Sequence, residues 1–82
     1  MAKVFYKSSV ERDLKKLGRP AAQRLLTKVE RDLAARPDAG QPLHGEFLGL
    51  FKYRIGDYRI VYSKLPEGVL ILRIAHRREV YR

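Results

Sequence analysis

Hydrophobic and polar positions change period once along this chain. In the first half, apolar residues recur every three or four positions. Val10, Leu14 and Leu17 share one helical face, and Ser8 stands three residues before Glu11, the spacing of a capping box, so the pattern predicts a first helix from about Ser9 to Leu17. Gly18-Arg19-Pro20 interrupts it, and Pro20 suits the first turn of a second helix. There Ala22, Leu25, Leu26, Val29 and Leu33 form one stripe, while Arg24, Lys28, Arg31 and Asp32 fall mainly on the solvated side. Pro37 ends this helix and Asp38-Ala39-Gly40 is a turn. The short connection predicts a hairpin of two helices.

The period then drops to two. Phe51, Tyr53 and Ile55 alternate with Lys52 and Arg54; Tyr58, Ile60 and Tyr62 alternate with Arg59 and Val61. Gly56-Asp57 between these runs is a two-residue hairpin signal, and Leu65-Pro66-Glu67-Gly68 is a further turn. Val69 to Ala75 is apolar except for Arg73, as in a strand with neighbours on both sides. Val4-Phe5-Tyr6 adds a short β-prone run at the start. The order β-α-α-β-β-β predicts an α+β fold: a small antiparallel sheet with the helical hairpin on one face. With 82 residues and no linker or repeat, residues 1–82 make a single domain.

This register has a chemical consequence. Around a Gly56-Asp57 turn, Phe51, Tyr53, Ile55, Tyr58, Ile60 and Tyr62 all face the helices. Lys52, Arg54 and Arg59 face away, with Arg54 directly opposite Arg59. Like charges in that position weaken a sheet. Either both side chains splay into solvent, or an anion sits between them; guanidinium groups suit phosphate. The tail offers His76, Arg77, Arg78 and Tyr81, which the exit of the last strand would bring to the same face. An aromatic among cations fits an unstacked nucleotide, and equally a terminal ring folded back on the core.

Overall charge leaves both alternatives open. Lys and Arg number 18 against 9 Asp and Glu, a net charge of +9. That excess keeps proteins apart in solution, and it also suits a polyanionic partner. Cysteine is absent, which excludes disulfides, thiolate zinc sites and a Cys nucleophile. There is no Gly-rich phosphate loop and no Ser-centred nucleophile motif. His44 and His76 lack a metal-ligand spacing, and only Asp57 and Glu79 supply carboxylates near the basic face, so the expectation is a site without metal or other cofactor. The run Gly68–Leu72 is far short of a membrane span, and the first residues lack the apolar stretch of a signal peptide, so the expected location is cytoplasmic.

The element order, the stretch Leu43-His44-Gly45 leading to Phe51-Lys52-Tyr53-Arg54-Ile55-Gly56-Asp57-Tyr58-Arg59-Ile60-Val61-Tyr62, and the ending Ala75-His76-Arg77-Arg78-Glu79-Val80-Tyr81 resemble toxins of the RelE/ParE superfamily over almost the whole chain. The resemblance implies a RelE-like fold and a toxin of a type II toxin–antitoxin system. In the RelE branch it implies a metal-independent endoribonuclease that cuts mRNA in the ribosomal A site by attack of the substrate's 2′-hydroxyl. The matching positions here are Lys52, Arg54, Arg59, Arg77 and Tyr81, with Arg54 standing where some relatives have Lys. Lys52, Arg59, Arg77 and Tyr81 are then the catalytic set; Lys52, Arg54, Arg59, His76, Arg77 and Arg78 are the RNA- and phosphate-binding set. Tyr81 is the candidate base, with Lys52 able to share that role. Arg59 and Arg77 clamp the phosphate, and Arg77 or His76 attends the leaving oxygen. The implied partners are the ribosome with its mRNA and a RelB-like antitoxin, through which operator DNA is reached only indirectly. The alternative branch, ParE-like, implies inhibition of DNA gyrase by binding, without RNA cleavage.

Overall fold

In the computed structural model, which describes residues 2–76, the elements follow in the order β1 (Lys3–Tyr6), α1 (Ser9–Leu17), α2 (Arg19–Ala35), β2 (Gln41–Pro42), a single 3-10 turn (Gly45–Phe47), β3 (Leu50–Ile55), β4 (Tyr58–Leu65) and β5 (Gly68–His76). The strands form one five-stranded sheet ordered β1-β5-β4-β3-β2. The helices lie on one face of it. Two details differ from the sequence reading. The sheet is mixed, because β1 runs parallel to β5 while the other pairs are antiparallel. It also gains β2, whose two residues, one of them Pro42, are too few to show an alternation.

The helices begin and end where the chain chemistry dictates. Gly18 separates them, Pro20 occupies the first turn of α2, and Arg36 closes α2 just before Pro37. The capping box does not form: Ser8 has a helical backbone and its side chain makes no cap bond. The hydroxyl next to it is used instead. Ser9 Oγ donates to the Leu72 carbonyl at 2.9 Å, tying α1 to the sheet.

Val10, Leu25, Val29 and Leu33 pack against Ile60, Tyr62, Val69, Ile71 and Ile74 to form the core. Tyr62 crosses it, stacked on Phe51 at 5.6 Å between ring centres. Its hydroxyl donates to the Pro37 carbonyl at 2.8 Å and accepts the Gly40 N–H at 2.9 Å, anchoring the loop after α2. The β3–β4 register pairs Arg54 with Arg59, Tyr53 with Ile60 and Ile55 with Tyr58, as the Gly56-Asp57 turn requires. Gly56 has φ 58° and Asp57 does not take a positive φ, the pattern of a II′ turn that demands glycine first. At the other end, Gly68 faces the Lys3 backbone so closely that a Cβ would overlap it.

One irregularity controls what faces where. Between Val61 and Tyr62 the β4–β5 pairing slips: Tyr62 pairs with Ile71 but Val61 pairs with Arg73, leaving Leu72 as an extra residue. A one-residue bulge inverts the alternation beyond it. Val69 and Ile71 point to the core before the bulge, and Ile74 does so after it. The edge of β5 beyond Ile71 has no β1 partner, and α1 covers it. Lys7 N–H donates to the Ile71 carbonyl at 2.9 Å, Ser9 takes the Leu72 carbonyl, and Asp13, one helical turn on, accepts the Ile74 N–H at 2.9 Å. Ser9 and Asp13 thus stand in for a strand, satisfying backbone groups that an open edge would expose.

Candidate RNA-binding face

The side of the sheet away from the helices carries the basic groups. Strand alternation places Lys52 and Arg54 on β3 and Arg59 on β4 there, on adjacent strands. The Arg54–Arg59 opposition is real, and Arg54 is held by its own turn: Nε donates to the Gly56 carbonyl at 3.1 Å. Lys52 and Arg59 are both half-buried.

Two concavities meet at that pair. One, of about 420 Å³, is lined by Ala39, Gln41, Lys52, Tyr53, Arg54 and Arg59. The other, of about 340 Å³, is lined by Leu43, Phe47, Leu50, Lys52, Arg59, Val61, Leu72 and Arg73. The first is polar. The second is an apolar trough with three cations at its border. Phe47 and its neighbour Leu48 are left largely exposed at the loop beside it. An anion can meet the cations while a flat apolar group lies on the trough floor, the two demands of a nucleotide.

The structure alters the sequence-based site in two ways. Arg73 joins Lys52 and Arg59 at the trough because the bulge turns it to this side. Its isolation in an otherwise apolar run was the available signal, although the run gives no sign of the bulge. His76 leaves the basic cluster for the same reason. It shares the parity of Ile74, pairs with Tyr58 across the strands, and meets the Tyr58 ring edge-on at 5.4 Å on the helix side. Among the described residues, His76 is therefore grouped with Tyr58 and not with Lys52 and Arg59. Arg77, Arg78 and Tyr81 lie outside the described residues.

Arg73 is fixed from behind. Asp13 is 5% exposed and accepts Arg73 Nε at 3.1 Å as well as the Ile74 N–H. Tyr53, in the polar concavity, donates its hydroxyl to Asp32 at 2.9 Å; burial and the Asp32 carboxylate keep its phenol proton above the ordinary phenol range. Tyr53 is consequently a proton-bearing group at neutral pH, unsuited to act as a base. Among the described residues, no three His, Asp or Glu side chains gather in a metal-binding arrangement, and no helix is long and apolar enough to cross a membrane.

Comparison with known proteins gives the class, the type II toxins with a RelE-like fold. Residues 4–81 match the family model described as ParE toxin of type II toxin-antitoxin system, parDE. The toxin RelG of Mycobacterium tuberculosis is 35% identical over 82 residues, covering 96% of this chain and 94% of that protein. The toxin–antitoxin complex RelBE2 of the same organism contains a chain with TM-score 0.83 and 34% identity, covering 93% of this chain and 98% of that one. The RelB–RelE complex of Methanococcus jannaschii shares the fold, with TM-score 0.65 at 15% identity over 94% of each chain. The chain belongs to the RelE/ParE superfamily of type II toxin–antitoxin toxins.

Proposed function

We propose that this toxin cuts mRNA in the ribosomal A site. The 2′-hydroxyl of the substrate attacks the adjacent phosphorus, the bond from phosphorus to the 5′-oxygen breaks, and the products carry a 2′,3′-cyclic phosphate and a 5′-hydroxyl. The observation that carries this reading is that Lys52 and Arg59 line both concavities of the open face, one cationic and one apolar. Arg59 and Arg77 stabilise the charge that builds on phosphorus. Tyr81 takes the 2′-hydroxyl proton, with Lys52 favouring its phenolate or sharing its role. Arg77 steadies the leaving 5′-oxygen, which takes its proton from solvent water to become the 5′-hydroxyl, while Arg54, Arg73 and Arg78 hold neighbouring phosphates. This set works without metal or organic cofactor. It is weak as an acid–base system, so the ribosome must supply the in-line geometry of the message.

The neutralising partner is a RelB-like antitoxin. The resemblance to a chain from the RelBE2 complex supports that partner, and the surplus of cations suits an acidic one. Contact with operator DNA runs through the antitoxin, and the toxin acts in the cytoplasm. A second reading, gyrase inhibition without cleavage, draws on the ParE name of the matching family model.

The test is mapping of mRNA ends after the purified toxin is added to translating ribosomes, with an mRNA-only control. Cuts within A-site codons that require ribosomes are expected. Lys52→Ala or Arg59→Ala should each reduce them roughly 100- to 1,000-fold, the usual loss for one preorganised electrostatic group. Intact mRNA together with inhibited gyrase supercoiling would replace this reading with the ParE-like one.

A further inference from the structure

Arg73 stands in one row with Lys52. The β3–β4 and β4–β5 registers pair Lys52 with Val61 and Val61 with Arg73. The two cations are therefore two strands apart on the open face, about 10 Å between backbones, with Val61 between them. Both line the apolar trough. Arg73 is distinctive in how it is held. Its guanidinium engages the protein only through Nε–H, which donates to Asp13 Oδ2 at 3.1 Å. Among the described residues, its two terminal nitrogens make no hydrogen bond or ion pair. The Arg73 side chain is 55% exposed, while Asp13 behind it is buried. The N–H groups of the terminal nitrogens are thus left for a ligand.

The backbone alone does not call for a carboxylate at position 13. The same Oδ2 accepts the Ile74 N–H at 2.9 Å, and a neutral Asn or Ser oxygen would satisfy that donor. One helical turn earlier, Ser9 meets the Leu72 carbonyl with a neutral hydroxyl. Burying a carboxylate costs more desolvation than burying a neutral group, and the charge persists where a cation shares it. Arg73, half in solvent, gains little stability in return. What Asp13 does supply is orientation. A long side chain that would otherwise sample many rotamers is fixed at Nε, and its planar group presents its outer edge to the trough. Arg54 is anchored in the same manner, through Nε to the Gly56 carbonyl at 3.1 Å.

We infer that Asp13 on α1 is a positioning residue for the message: it holds Arg73 by Nε so that the two terminal nitrogens grip one RNA phosphate beside the scissile one. Asp13 itself touches no RNA and moves no proton. The inference rests on the proposed function for the identity of the ligand and deepens it. Its sign separates it from a general electrostatic effect. If charge alone counted, removing a carboxylate from a protein that binds a polyanion would tighten binding. Removing an anchor loosens it, because the RNA must then order the Arg73 side chain itself.

The experiment is fluorescence anisotropy of the full chain with a single-stranded 2′-O-methyl RNA oligonucleotide, which cannot be cut, across a salt series. The proteins are wild type, Asp13→Ala, Asp13→Asn, Arg73→Ala, Arg73→Lys and Asp13→Ala/Arg73→Ala, with mRNA cleavage on ribosomes measured in parallel. Asp13→Ala should bind about two- to ten-fold more weakly, the cost of ordering one long side chain, with the salt slope unchanged. Asp13→Asn keeps a neutral oxygen for both donors and should fall between Asp13→Ala and wild type. Arg73→Lys replaces the fork by a single ammonium, so it should lose affinity and keep the slope. Arg73→Ala should lose affinity together with about 0.7 units of slope, one phosphate contact on a single strand. In the Arg73→Ala background, Asp13→Ala should have no further effect on binding or cleavage, although it still lowers the melting temperature through the Ile74 N–H. Equal or tighter binding by Asp13→Ala, wild-type affinity in Arg73→Lys, or the same Asp13→Ala loss in both backgrounds would each overturn the inference. The expected binding pattern without cleavage by the wild type would uphold Asp13 and refute the cutting reaction; cleavage without the pattern would do the reverse. Circular dichroism melts establish that each variant is folded at the assay temperature. If Asp13→Ala is not, Asp13→Asn and Arg73→Lys carry the test.

Discussion

Replacing Asp13 by Ala should be among the most damaging changes available to this chain, and the structure says by how much. Asp13 is buried on α1 and accepts two hydrogen bonds, from the Ile74 N–H at 2.9 Å and from Arg73 Nε at 3.1 Å. In Asp13→Ala the Ile74 N–H stays buried against α1 with no partner, which costs about 1–3 kcal/mol. The Arg73 side chain is 55% exposed and regains water, so its share is small, under about 1 kcal/mol. The sum, about 1–4 kcal/mol, compares with a total stability of about 4–12 kcal/mol for a domain of this length. A urea titration followed by far-ultraviolet circular dichroism should register that loss, and the melting temperature should fall by more than about 4 °C. Asp13→Asn keeps an acceptor for the Ile74 N–H and should recover more than half. Arg73→Ala should cost less than about 1 kcal/mol. If Asp13→Ala lay within about 0.5 kcal/mol of wild type, or if Arg73→Ala were as costly as Asp13→Ala, the account of Asp13 as a substitute strand partner would be wrong.

Tyr62→Phe should destabilise by about 1–3 kcal/mol in the same titration, because it strands the Gly40 N–H and Pro37 carbonyl beneath the loop after α2. Alkali should unfold the protein: burial, with help from Glu30 for Tyr6 and from Asp32 for Tyr53, holds the phenol protons of Tyr6, Tyr53 and Tyr62 more tightly than in the unfolded chain. Stability is therefore complete below about pH 10 and falls as the pH rises beyond it, which melts paired with phenolate absorbance will register; constant stability across that range would refute it. Arg54→Glu turns a like-charged cross-strand pair into an opposite one, worth about 0.2–1 kcal/mol, and loses an exposed bond to the Gly56 carbonyl of similar size, so stability should stay within about 1 kcal/mol of wild type while RNA binding weakens. Marked destabilisation with full binding would show that Arg54 serves the fold.

The parts of the fold that were legible in the sequence are those with local causes. The β3–β4 register follows from two residues, Gly56 and Asp57, together with an unbroken alternation on either side, so the joint placement of Lys52, Arg54 and Arg59 could be read before any coordinates. The helix limits follow from Gly18, Pro20 and Pro37. What escaped depended on partners distant in sequence. The parallel pairing of β1 with β5 leaves no trace in either strand. The bulge at Leu72 lies within an apolar run, where either face accepts either residue, and its effect was to exchange Arg73 for His76 on the basic face. Asp13 did leave a trace, since it stands three residues after Val10 and beside Leu14 on what would otherwise be an apolar stripe. A carboxylate there announces a buried donor, though not which one.

The bulge and Asp13 form one arrangement, and it bears on why the open face can be so basic. A regular β5 would keep Arg73 in phase with Val69 and Ile71, pointing into the core, and would send Ile74 out to the open face. Leu72, as the extra residue, lets both keep suitable surroundings: Ile74 packs inward and Arg73 reaches the trough. β1 ends at the level of Ile71, so the Ile74 N–H on that edge of β5 has no strand partner, and Asp13 receives it while its second bond steadies Arg73. Like charges at Arg54 and Arg59 stand directly opposite each other across β3 and β4, a placement that opposes folding. Around Arg73 this sequence supplies a buried carboxylate; in the concavity lined by Lys52, Arg54 and Arg59 it gathers like charges suited to an anion from outside.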